Sequence, residues 1–424
     1  MSELLRRVKP EEIDRAVRPP VDEATLEAAG EIVADVRTNG ADAVRRHAER
    51  FGEREPGDVL VLGHIEMAAA LTRIDDQDRM TLERAASRIE VFARAQRESI
   101  LELSVPIPGG KAGHTVEPVR SAGCYAPGGR YPLPSSVLMT AIAARSAGCE
   151  RVVVASPNSG DVMLAAAAIA GADEFLAVGG AHAVAAMAYG FEDGETGFER
   201  VDVIAGPGNR FVTAAKQLVS GVVGIDMLAG PSELLVLADG SADPSVVAAD
   251  LLAQAEHDAD ASAMLVTTDG GLADSVNAEL ENQLAELATR DVAGRALKNG
   301  FVCVCGTLDE AIAVTDRVAP EHLEIMTTDA EVVAGRIRNA GACFIGARTA
   351  EVVGDYGAGP NHTLPTGGTA RFQAGLSVMD FLRLRTWIRL DDDSEAGRAL
   401  LADTVRLAEM EGLAGHAASA RQRM

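Results

Sequence analysis

The sequence predicts an α/β protein with two Rossmann-like domains, each a parallel β-sheet covered by helices, one domain inserted in the other, and a helical C-terminal tail. Two observations predict this architecture. Short apolar runs alternate with helical patterns between about residue 137 and about residue 346, which is the order that right-handed βαβ crossovers require. Clusters of glycine and proline separate these segments. From about Ala374 the alternation stops, and the remaining pattern is helical.

This pattern divides the 424 residues into four parts. They are an N-terminal helical arm (1–20), a discontinuous main α/β domain (21–122 and 233–375), an inserted Rossmann-like domain (123–232) and a C-terminal helical tail (376–424). A chain of this length suffices for two domains and a sizeable core, at roughly 150 residues per domain.

The first part of the chain is predicted to be mainly helical. Residues 22–51 form one or two amphipathic helices, DVLVL is a strand, and a long helical stretch reaches about Ile100. The loop VPIPGGKAG then precedes an extended segment, HTVEPVR. The next stretch, SAGCYAPGGRYPLPSSV, is dense in glycine and proline, so we expect it to cross between domains and to contact a ligand.

The inserted domain alternates strand and helix. Its predicted strands are RVVVAS, EFLAV and VDVIAG, and its predicted helices are VLMTAIAARSAG, DVMLAAAAIAGA, HAVAAMAYG and NRFVTAAKQLVSG. The junctions VGGAH (178–182) and AGPGNRF (205–211) place glycine beyond strand carboxyl ends, where backbone amides at helix starts can hold phosphate. Because G-x-G-x-x-G is absent, these junctions by themselves indicate a nucleotide site only weakly.

The chain is organised around the stretch 226–257, which leads from the inserted domain into the main domain. It holds a tight turn (GPS), a buried strand (LLVL) and a helix with Asp243 as N-cap and Pro244 at its first position. Gln254 and His257 lie at the end of this helix, and because they are three residues apart they share one helical face and can converge on one ion or ligand. Strand and helix patterns then alternate from AMLVTTD to ACFIG.

Composition and charge exclude several classes of protein. The formal charge of −24 argues against a nucleic-acid partner, because phosphate binding needs clustered basic residues. No apolar run approaches the roughly 18 residues of a membrane span, and the first 20 residues lack the apolar core of a secretory signal. We therefore expect a cytoplasmic protein with no membrane partner.

The basic residues are almost all arginine, since only four lysines occur. An acidic, lysine-poor surface fits a halophilic protein in a high-salt cytoplasm, where salt screens the repulsion between like charges. The five cysteines do not form the pattern of a disulfide framework. Cys303 and Cys305 alternate in FVCVC, and a core position is favoured over metal binding because no second closely spaced pair exists.

Candidate metal and acid–base residues occur in polar or glycine-rich settings. The imidazoles of this kind are His257, His322, His362 and His416, with acidic neighbours Glu321, Asp355 and Glu411. Neutral imidazole, carboxylate and amide oxygen can all ligate a metal, and Zn²⁺ favours histidine with aspartate. The plain structural alternatives are a helix-ending surface pair for Glu321 and His322, a turn role for Ser232 and an Asx-turn for Asp355.

Seven motifs in order make the chain resemble the histidinol dehydrogenase family over nearly its whole length. They are YAPGGRYPLPSSVLM, GPGNRFVTAAK, DMLAGPSE, QAEH, APEHLEI, GAGPNHTLPTGGTAR and EGLAGH. The resemblance implies oxidation of L-histidinol to L-histidine through L-histidinal with two NAD, the last steps of histidine biosynthesis. It implies one Zn²⁺ per subunit and NAD bound on an incomplete Rossmann-like domain, which explains the missing fingerprint.

The resemblance also implies the site residues. The zinc ligands would be Gln254, His257, Asp355 and His416, and the acid–base pair would be Glu321 and His322. Ser232, His362 and Glu411 would join the zinc ligands and His322 around the substrate. Tyr125, His182 and Asn209 would lie along NAD. His182 is a departure, because the family usually has glutamine after VGGA, although either side chain can form a hydrogen bond.

The resemblance further implies an intertwined homodimer with shared active sites, in which the C-terminal tail completes the neighbouring subunit's site. Three other interpretations stay open. One is a paralogous zinc- and NAD-dependent dehydrogenase of another small alcohol. The second is a zinc hydrolase with Glu321 as base, which the absence of H-E-x-x-H disfavours. The third is a non-catalytic metabolite-binding protein, which needs no proton acceptor such as His322.

Overall fold

The computed structural model describes residues 4–14, 19–128, 131–194, 196–391 and 394–424. Residues 1–3 and 15–18 of the predicted N-terminal arm and residues 129–130 of the predicted crossing loop lie outside the described residues. Every helix in the described part of the chain is too short or too polar to cross a membrane.

The strands are numbered in chain order. They are Arg6–Val8 (β1), Val61–Leu62 (β2), Leu103–Ile107 (β3), Gly110–Pro118 (β4), Ser121–Tyr125 (β5), Arg151–Ala155 (β6), Glu174–Leu176 (β7), Phe191–Asp193 (β8), Thr196–Phe198 (β9), Val203–Ala205 (β10), Gly224–Ile225 (β11), Glu233–Ala238 (β12), Ser262–Thr267 (β13), Phe301–Val304 (β14), His322–Met326 (β15), Ala342–Ile345 (β16) and Leu382–Leu390 (β17).

The helices are numbered in the same way. They are Glu23–Arg50 (α1), His64–Ala70 (α2), Asp76–Ser99 (α3), Pro134–Ala147 (α4), Asp161–Ile169 (α5), Gly180–Tyr189 (α6), Arg210–Val219 (α7), Pro244–Ala255 (α8), Gly270–Glu286 (α9), Arg290–Ala296 (α10), Leu308–Val318 (α11), Ala330–Ala334 (α12), Glu351–Asp355 (α13), Glu395–Met410 (α14) and Ala414–Arg421 (α15). Helix α1 is interrupted at Gly40, whose φ of 54° breaks the helical path.

The first sheet, here called sheet 1, has the strand order β11-β10-β5-β6-β7-β2. All neighbours are parallel except the short edge strand β2, which runs antiparallel to β7. One face is covered by α1, α6 and α7, and the other by α2, α3, α4 and α5. Its strands are therefore buried on both faces, which explains their continuous apolar sequences.

The second sheet, here called sheet 2, has the order β1-β14-β13-β12-β15-β16 and is parallel throughout. Helices α8, α9 and α10 pack on one face, and α11 and α12 on the other. Two parallel sheets with helices on both faces confirm the predicted α/β fold class. Cys303 and Cys305 lie buried with their sulfur atoms 3.9 Å apart on one side of this sheet, as core residues.

The division between the two units differs from the predicted one. Residues 21–122 were expected in the main domain, but α1, α2 and α3 pack on sheet 1, and β2 and β5 are strands of that sheet. Sheet 2 receives only β1 from the N-terminal part of the chain. One unit is thus inserted in the other, but the insertion begins just after the N-terminal arm. Helical periodicity shows an apolar face and does not show which sheet covers it.

Two terminal segments also differ from prediction. The N-terminal arm, expected to be helical, contributes β1 and then a short 3₁₀ turn at Pro10–Glu12. The tail, expected to be helical, begins with the nine-residue strand β17 before α14 and α15. Strand β17 pairs antiparallel with β4, which pairs with β3, and this three-stranded sheet includes the segment predicted as the loop VPIPGGKAG. Cross-strand pairing determined these segments, and a local pattern does not record it.

Candidate active site

The candidate active site lies where the two sheets approach each other. Glu233 and His322 are the first residues of β12 and β15, so they mark the amino edge of sheet 2. Helix α4 follows β5 at the carboxyl edge of sheet 1, and the Ser136 hydroxyl in this helix is 3.3 Å from Nε2 of His362. Both sheets therefore contribute side chains to one cleft.

Glu321 and His322 are side by side and buried, with exposed fractions of only 6% and 4%. This burial contradicts the alternative of a surface pair. Oε2 of Glu321 accepts a hydrogen bond from the backbone N–H of Glu233 at 2.8 Å. Nδ1 of His322 is 3.0 Å from the carbonyl oxygen of Glu233, which can only accept, so Nδ1 carries the proton. Nε2 is then the basic nitrogen.

Burial sets the charge state of this pair. It lowers the pKa of His322 to about 4, so the imidazole is neutral at pH 7 and its Nε2 can accept a proton. Burial also raises the pKa of Glu321 well above its ordinary value, and the charges of Glu233, Glu351 and Asp355 act in the same direction. The hydrogen bond from the backbone of Glu233 opposes this rise.

Asp355 lies among three imidazoles. Its Oδ2 is 3.9 Å from Nε2 of His257, and its Oδ1 is 3.9 Å from Nδ1 of His362. Ligand atoms of His322, Glu351 and Asp355 lie within 4.8 Å of one another. These separations are too long for hydrogen bonds. Two ligand atoms on one small cation lie about 3.3–3.6 Å apart when the metal–ligand bonds are about 2.0–2.2 Å, and the two separations of 3.9 Å are close to this spacing.

Gln254 is consistent with a metal in this cleft. Its side chain is fully buried, and neither amide atom has a hydrogen-bond partner among the described residues. A buried amide without a hydrogen-bond partner is costly. The free amide oxygen of Gln254 is therefore suited to ligating a metal ion from outside the chain. Helix α8, which carries Gln254, packs against α13, which ends at Asp355. Amide, imidazole and carboxylate donors are a set that Zn²⁺ accepts.

His257 lies just beyond helix α8 and not within it. The Asp243 side chain caps the helix by accepting from the N–H of Ser245, as predicted, but the helix ends at Ala255. The backbone continues in a helical turn through Glu256, and the N–H of His257 is 3.3 Å from the carbonyl of Gln254. The side chain is 39% exposed, and its Nε2 lies 3.9 Å from Oδ2 of Asp355.

Three carboxyl groups beside this cleft, two of them buried and one half-buried, were missed by sequence reasoning. Oε1 of Glu351 is 3.5 Å from Nε2 of His322. Glu324 is fully buried on β15, two residues after His322, and Asp250 lies on α8, four residues before Gln254. The available signal was an acidic residue inside an apolar run, VVAADLLAQA or HLEIM, because buried acids are rare without a role.

The remaining predicted residues have different positions. Ser232 is half-buried immediately before Glu233, and its carbonyl accepts from the N–H of Ser262 at 3.0 Å. Glu411 and His416 are exposed on the C-terminal helices, outside the cluster around Asp355. The single chain therefore brings His257 beside Asp355 and packs the helix of Gln254 against the helix that ends at Asp355, while the fourth implied zinc ligand, His416, lies outside this group.

A separate cavity of about 590 Å³ contains the three residues predicted to lie along NAD. Tyr125 ends β5, and its hydroxyl accepts from the N–H of Gly180 at 3.0 Å. His182 is fully buried in α6, with Nε2 2.9 Å from a carboxylate oxygen of Glu53. The Asn209 side chain caps α7 and lines the same cavity.

The position of this cavity follows from the topology of sheet 1. The chain proceeds from β5 to β6 and β7 on one side of β5, and then crosses to β10 on the other side. In open α/β sheets, ligands bind outside the strand carboxyl ends where the strand order reverses in this way. Tyr125 and Asn209 follow the two strands at this switch point, so the cavity is suited to a dinucleotide.

A buried ion pair supports the loop between β10 and Asn209. Lys216 and Asp226 form a salt bridge in which both side chains are buried. Lys216 donates to the carbonyl of Gly206 at 3.0 Å, and the N–H of Gly206 donates to Asp226 at 2.8 Å. Gly206 has a φ of 123°, and a Cβ there would lie 2.1 Å from the carbonyl oxygen of Tyr125. Only glycine can occupy position 206, because the backbone there passes so close to the backbone of Tyr125.

The fold and these two sites define an α/β enzyme with paired parallel sheets, a buried imidazole–carboxylate pair, a candidate metal centre and a dinucleotide-sized cavity. The family model for histidinol dehydrogenase matches residues 18–424. The chain belongs to the histidinol dehydrogenase family and is therefore an oxidoreductase.

Similar proteins cover nearly the whole chain. The histidinol dehydrogenase of Geobacter metallireducens is 46% identical over 402 residues, which cover 93% of this chain and 90% of that protein. The histidinol dehydrogenase of Cereibacter sphaeroides is 47% identical over 400 residues, with coverages of 93% and 90%. The crystal structure of histidinol dehydrogenase from Elizabethkingia anophelis has a TM-score of 0.92 at 31% identity and covers 100% of this chain and 98% of that chain.

Proposed function

We propose that this protein oxidises L-histidinol to L-histidine through L-histidinal, with two NAD and one Zn²⁺ per subunit, as the last steps of histidine biosynthesis. The observation that carries the proposal is the unprotonated Nε2 of buried His322, placed beside the Asp355 cluster in a chain of this family. A metabolite-binding protein needs no such base.

In this proposal, Gln254, His257 and Asp355 hold the zinc together with His416 from a second copy of the chain. Zinc would orient the substrate through the imidazole and amine of histidinol, which are both good donors. Ser232, His362 and Glu411 would surround the same substrate. The open amide of Gln254 and the 3.9 Å spacing of His257 from Asp355 support this set.

His322 serves the first oxidation. Its Nε2 accepts the proton of the alcohol hydroxyl, and NAD, when bound, would supply the hydride acceptor, so that alcohol and NAD⁺ would give aldehyde, NADH and one proton. The hydrogen bond from Nδ1 to the carbonyl of Glu233 holds the ring in the required tautomer.

Glu321 serves the second oxidation. Its carboxylate removes a proton from water as the water adds to the aldehyde, and the hydrated aldehyde then gives a second hydride to NAD. The sum of both steps converts alcohol, two NAD⁺ and water into carboxylate, two NADH and three protons. A raised pKa makes the Glu321 carboxylate a stronger base than an exposed one.

NAD would occupy the cavity lined by Tyr125, His182 and Asn209. The position of the cavity at the switch point of sheet 1 supports this assignment. Since Glu53 already holds Nε2 of His182, we expect this histidine to shape the cavity wall where the family usually has glutamine.

A homodimer with shared active sites is part of the proposal. Helices α14 and α15 pack mainly on each other, and His416 and Glu411 are exposed. Leu407, Met410 and Leu413 in this segment have exposed fractions of 59%, 70% and 43%. Such apolar exposure suits contact with a partner chain.

The direct test is NADH formation when L-histidinol is added to zinc-loaded protein with excess NAD. We expect two NADH per histidinol, because both oxidations occur before release. An amino alcohol without the imidazole ring is the matched control and is expected to give little NADH. One NADH per histidinol, or equal rates with the control alcohol, would contradict the proposal.

A further inference from the structure

Asp250 and Glu324 form a pair of carboxyl groups with buried oxygen atoms beside the candidate zinc and acid–base residues. Glu324 is fully buried, and Oε1 of Glu324 accepts from the N–H of Glu351 at 2.7 Å. Its other oxygen, Oε2, and Oδ2 of Asp250 are buried and have no protein donor within the described part of the chain. The two carboxyl groups nevertheless lie within hydrogen-bonding range of each other.

Two carboxylate oxygens cannot satisfy each other, because an ionised carboxylate only accepts hydrogen bonds. If one of the two carboxyl groups is protonated, its O–H can donate a hydrogen bond to the other, which is ionised and accepts it. The proton also removes the repulsion between two neighbouring negative charges. Burial raises the pKa of Glu324 and of Asp250, which favours retention of this proton at neutral pH.

The pair connects the three segments that carry the site. Asp250 and Gln254 are four residues apart on α8 and so lie on one face of that helix. Glu324 and His322 are two residues apart on β15 and so lie on one face of the sheet. Glu324 binds the N–H of Glu351, the first residue of the short helix that ends at Asp355.

We propose that Asp250 and Glu324 share one proton, and that this proton-linked pair positions α8, β15 and α13 so that Gln254, His322 and Asp355 converge. The two acids are positioning residues and do not touch the substrate. The inference rests on the proposed function only for the identity of the metal. Glu351 on α13 also acts on both acids, and His322 on β15 and Asp355 at the end of α13 are the other titratable groups on these elements.

The shared proton has a defined effect on stability. An acid whose pKa is higher in the folded than in the unfolded chain binds its proton more tightly when folded. The stability that it contributes is complete below the unfolded pKa and is lost as the pH rises toward the folded pKa. Glutamine in place of Glu324 needs no proton, since its amide N–H₂ can donate to Asp250 and its oxygen can accept from the N–H of Glu351.

The first test uses the full-length chain without metal. Wild type and Glu324→Gln are melted from about pH 5 to about pH 9, and the wild-type melting temperature is expected to fall relative to the variant as the pH rises. The infrared difference spectrum between wild type and Glu324→Gln at neutral pH is expected to show the loss of one protonated carboxylic acid in the variant. The control is Glu331→Gln, an exposed acid on α12, which is expected to retain the infrared band and the wild-type pH dependence.

The second test measures binding of Zn²⁺ alone. Glu324→Met leaves Asp250 and the N–H of Glu351 without partners and is expected to weaken zinc binding about 10- to 100-fold, as is common when groups that orient metal ligands are lost. Glu324→Gln is expected to bind zinc within about threefold of wild type at pH 7 and to lose less affinity than wild type at alkaline pH. Equal zinc affinity in wild type and both variants, or an unchanged infrared band in Glu324→Gln, would overturn the proposal.

If Glu324→Met does not fold, the infrared comparison and the pH dependence of Glu324→Gln still decide the question. Neither measurement involves histidinol or NAD. Failure of wild type to oxidise histidinol would therefore refute the proposed function and leave the shared proton to be judged on these results alone.

Discussion

The ring nitrogens of His322 have different roles because they face different groups. Nδ1 is fixed as a donor by the carbonyl of Glu233 at 3.0 Å, while Nε2 points toward Glu351 and has no hydrogen-bond partner in the described ranges. The pKa of His322 is lowered to about 4 by burial, so this base is available without prior loss of a proton at neutral pH. One backbone carbonyl thus determines which ring nitrogen of His322 is available to accept a proton.

Replacement of Glu321 by glutamine separates the two oxidations. In wild type, the carboxylate of Glu321 accepts a hydrogen bond from the N–H of Glu233 at 2.8 Å. The amide oxygen of glutamine can accept the same hydrogen bond, so we expect the local structure to be retained. The amide cannot remove a proton from water, and we expect oxidation of histidinal to slow about 10²- to 10⁴-fold, which is common for a lost general base. Oxidation of histidinol to histidinal is expected to change much less.

The measurement is stopped-flow NADH formation with histidinol and, separately, with histidinal as substrate. Glu331→Gln is a matched control, because it makes the same substitution at an exposed position on α12. Equal slowing of the two substrates by Glu321→Gln would show that Glu321 and His322 do not divide the work in this way.

At the scale of elements, the C-terminal helices are poorly anchored to their own chain. Helix α14 approaches the three-stranded sheet where Gly109 faces Gly397, and α15 packs on α14. Ile388 and Leu384 on β17 also have exposed fractions of 76% and 59%. A tail that leaves so much apolar surface in water is expected to gain stability by packing on a partner.

Mixed dimers test whether this tail completes the partner's site. His257→Asn and His416→Asn homodimers are each expected to lose zinc and activity while remaining folded, since each lacks one proposed ligand at both sites. In a mixed dimer of the two variants, one site receives both lesions and the other none, so roughly half of the wild-type activity per dimer is expected to return.

The experiment requires purified mixed dimers carrying two different tags, assayed for bound zinc and for NADH formation. Mixtures of the unassociated homodimers serve as the control and are expected to stay inactive. No recovery in verified mixed dimers would show that His416 acts in its own subunit, and the shared-site proposal would fail.

At the scale of the whole molecule, the net charge determines the expected response to salt. The chain has 63 acidic and 39 basic residues, so repulsion among like charges opposes compaction at low ionic strength. Many of the ion pairs are exposed arginine–carboxylate contacts, which contribute little stability and are screened by salt. We therefore expect melting temperatures to rise from low to molar KCl, because screening relieves the repulsion.

The check is a series of thermal melts at constant pH in KCl, with a non-ionic osmolyte at matched osmolality as the control for general exclusion effects. A flat or falling series would remove the halophilic interpretation and leave an acidic protein of ordinary salt response.

The sequence by itself determined the class of fold and indicated the Glu321–His322 pair as a candidate acid–base pair. Apolar strands buried on both faces, as in LLVL and RVVVAS, carry their pattern locally, and so do the Asp243 cap and the Glu321–His322 neighbours. The residues implied by family resemblance are also local, because motifs such as QAEH and APEHLEI keep their order in the chain. For these features, the information needed lies within a few residues.

Only the tertiary structure decided which parts meet. Helices α1 to α3 have apolar faces that are compatible with either sheet, and packing assigned them to sheet 1. The strands β1 and β17 exist because of partners far away in the chain. Glu351, Glu324 and Asp250 became visible as a group only where α13, β15 and α8 converge, since the energy of a buried carboxyl group depends on neighbours that are distant in sequence.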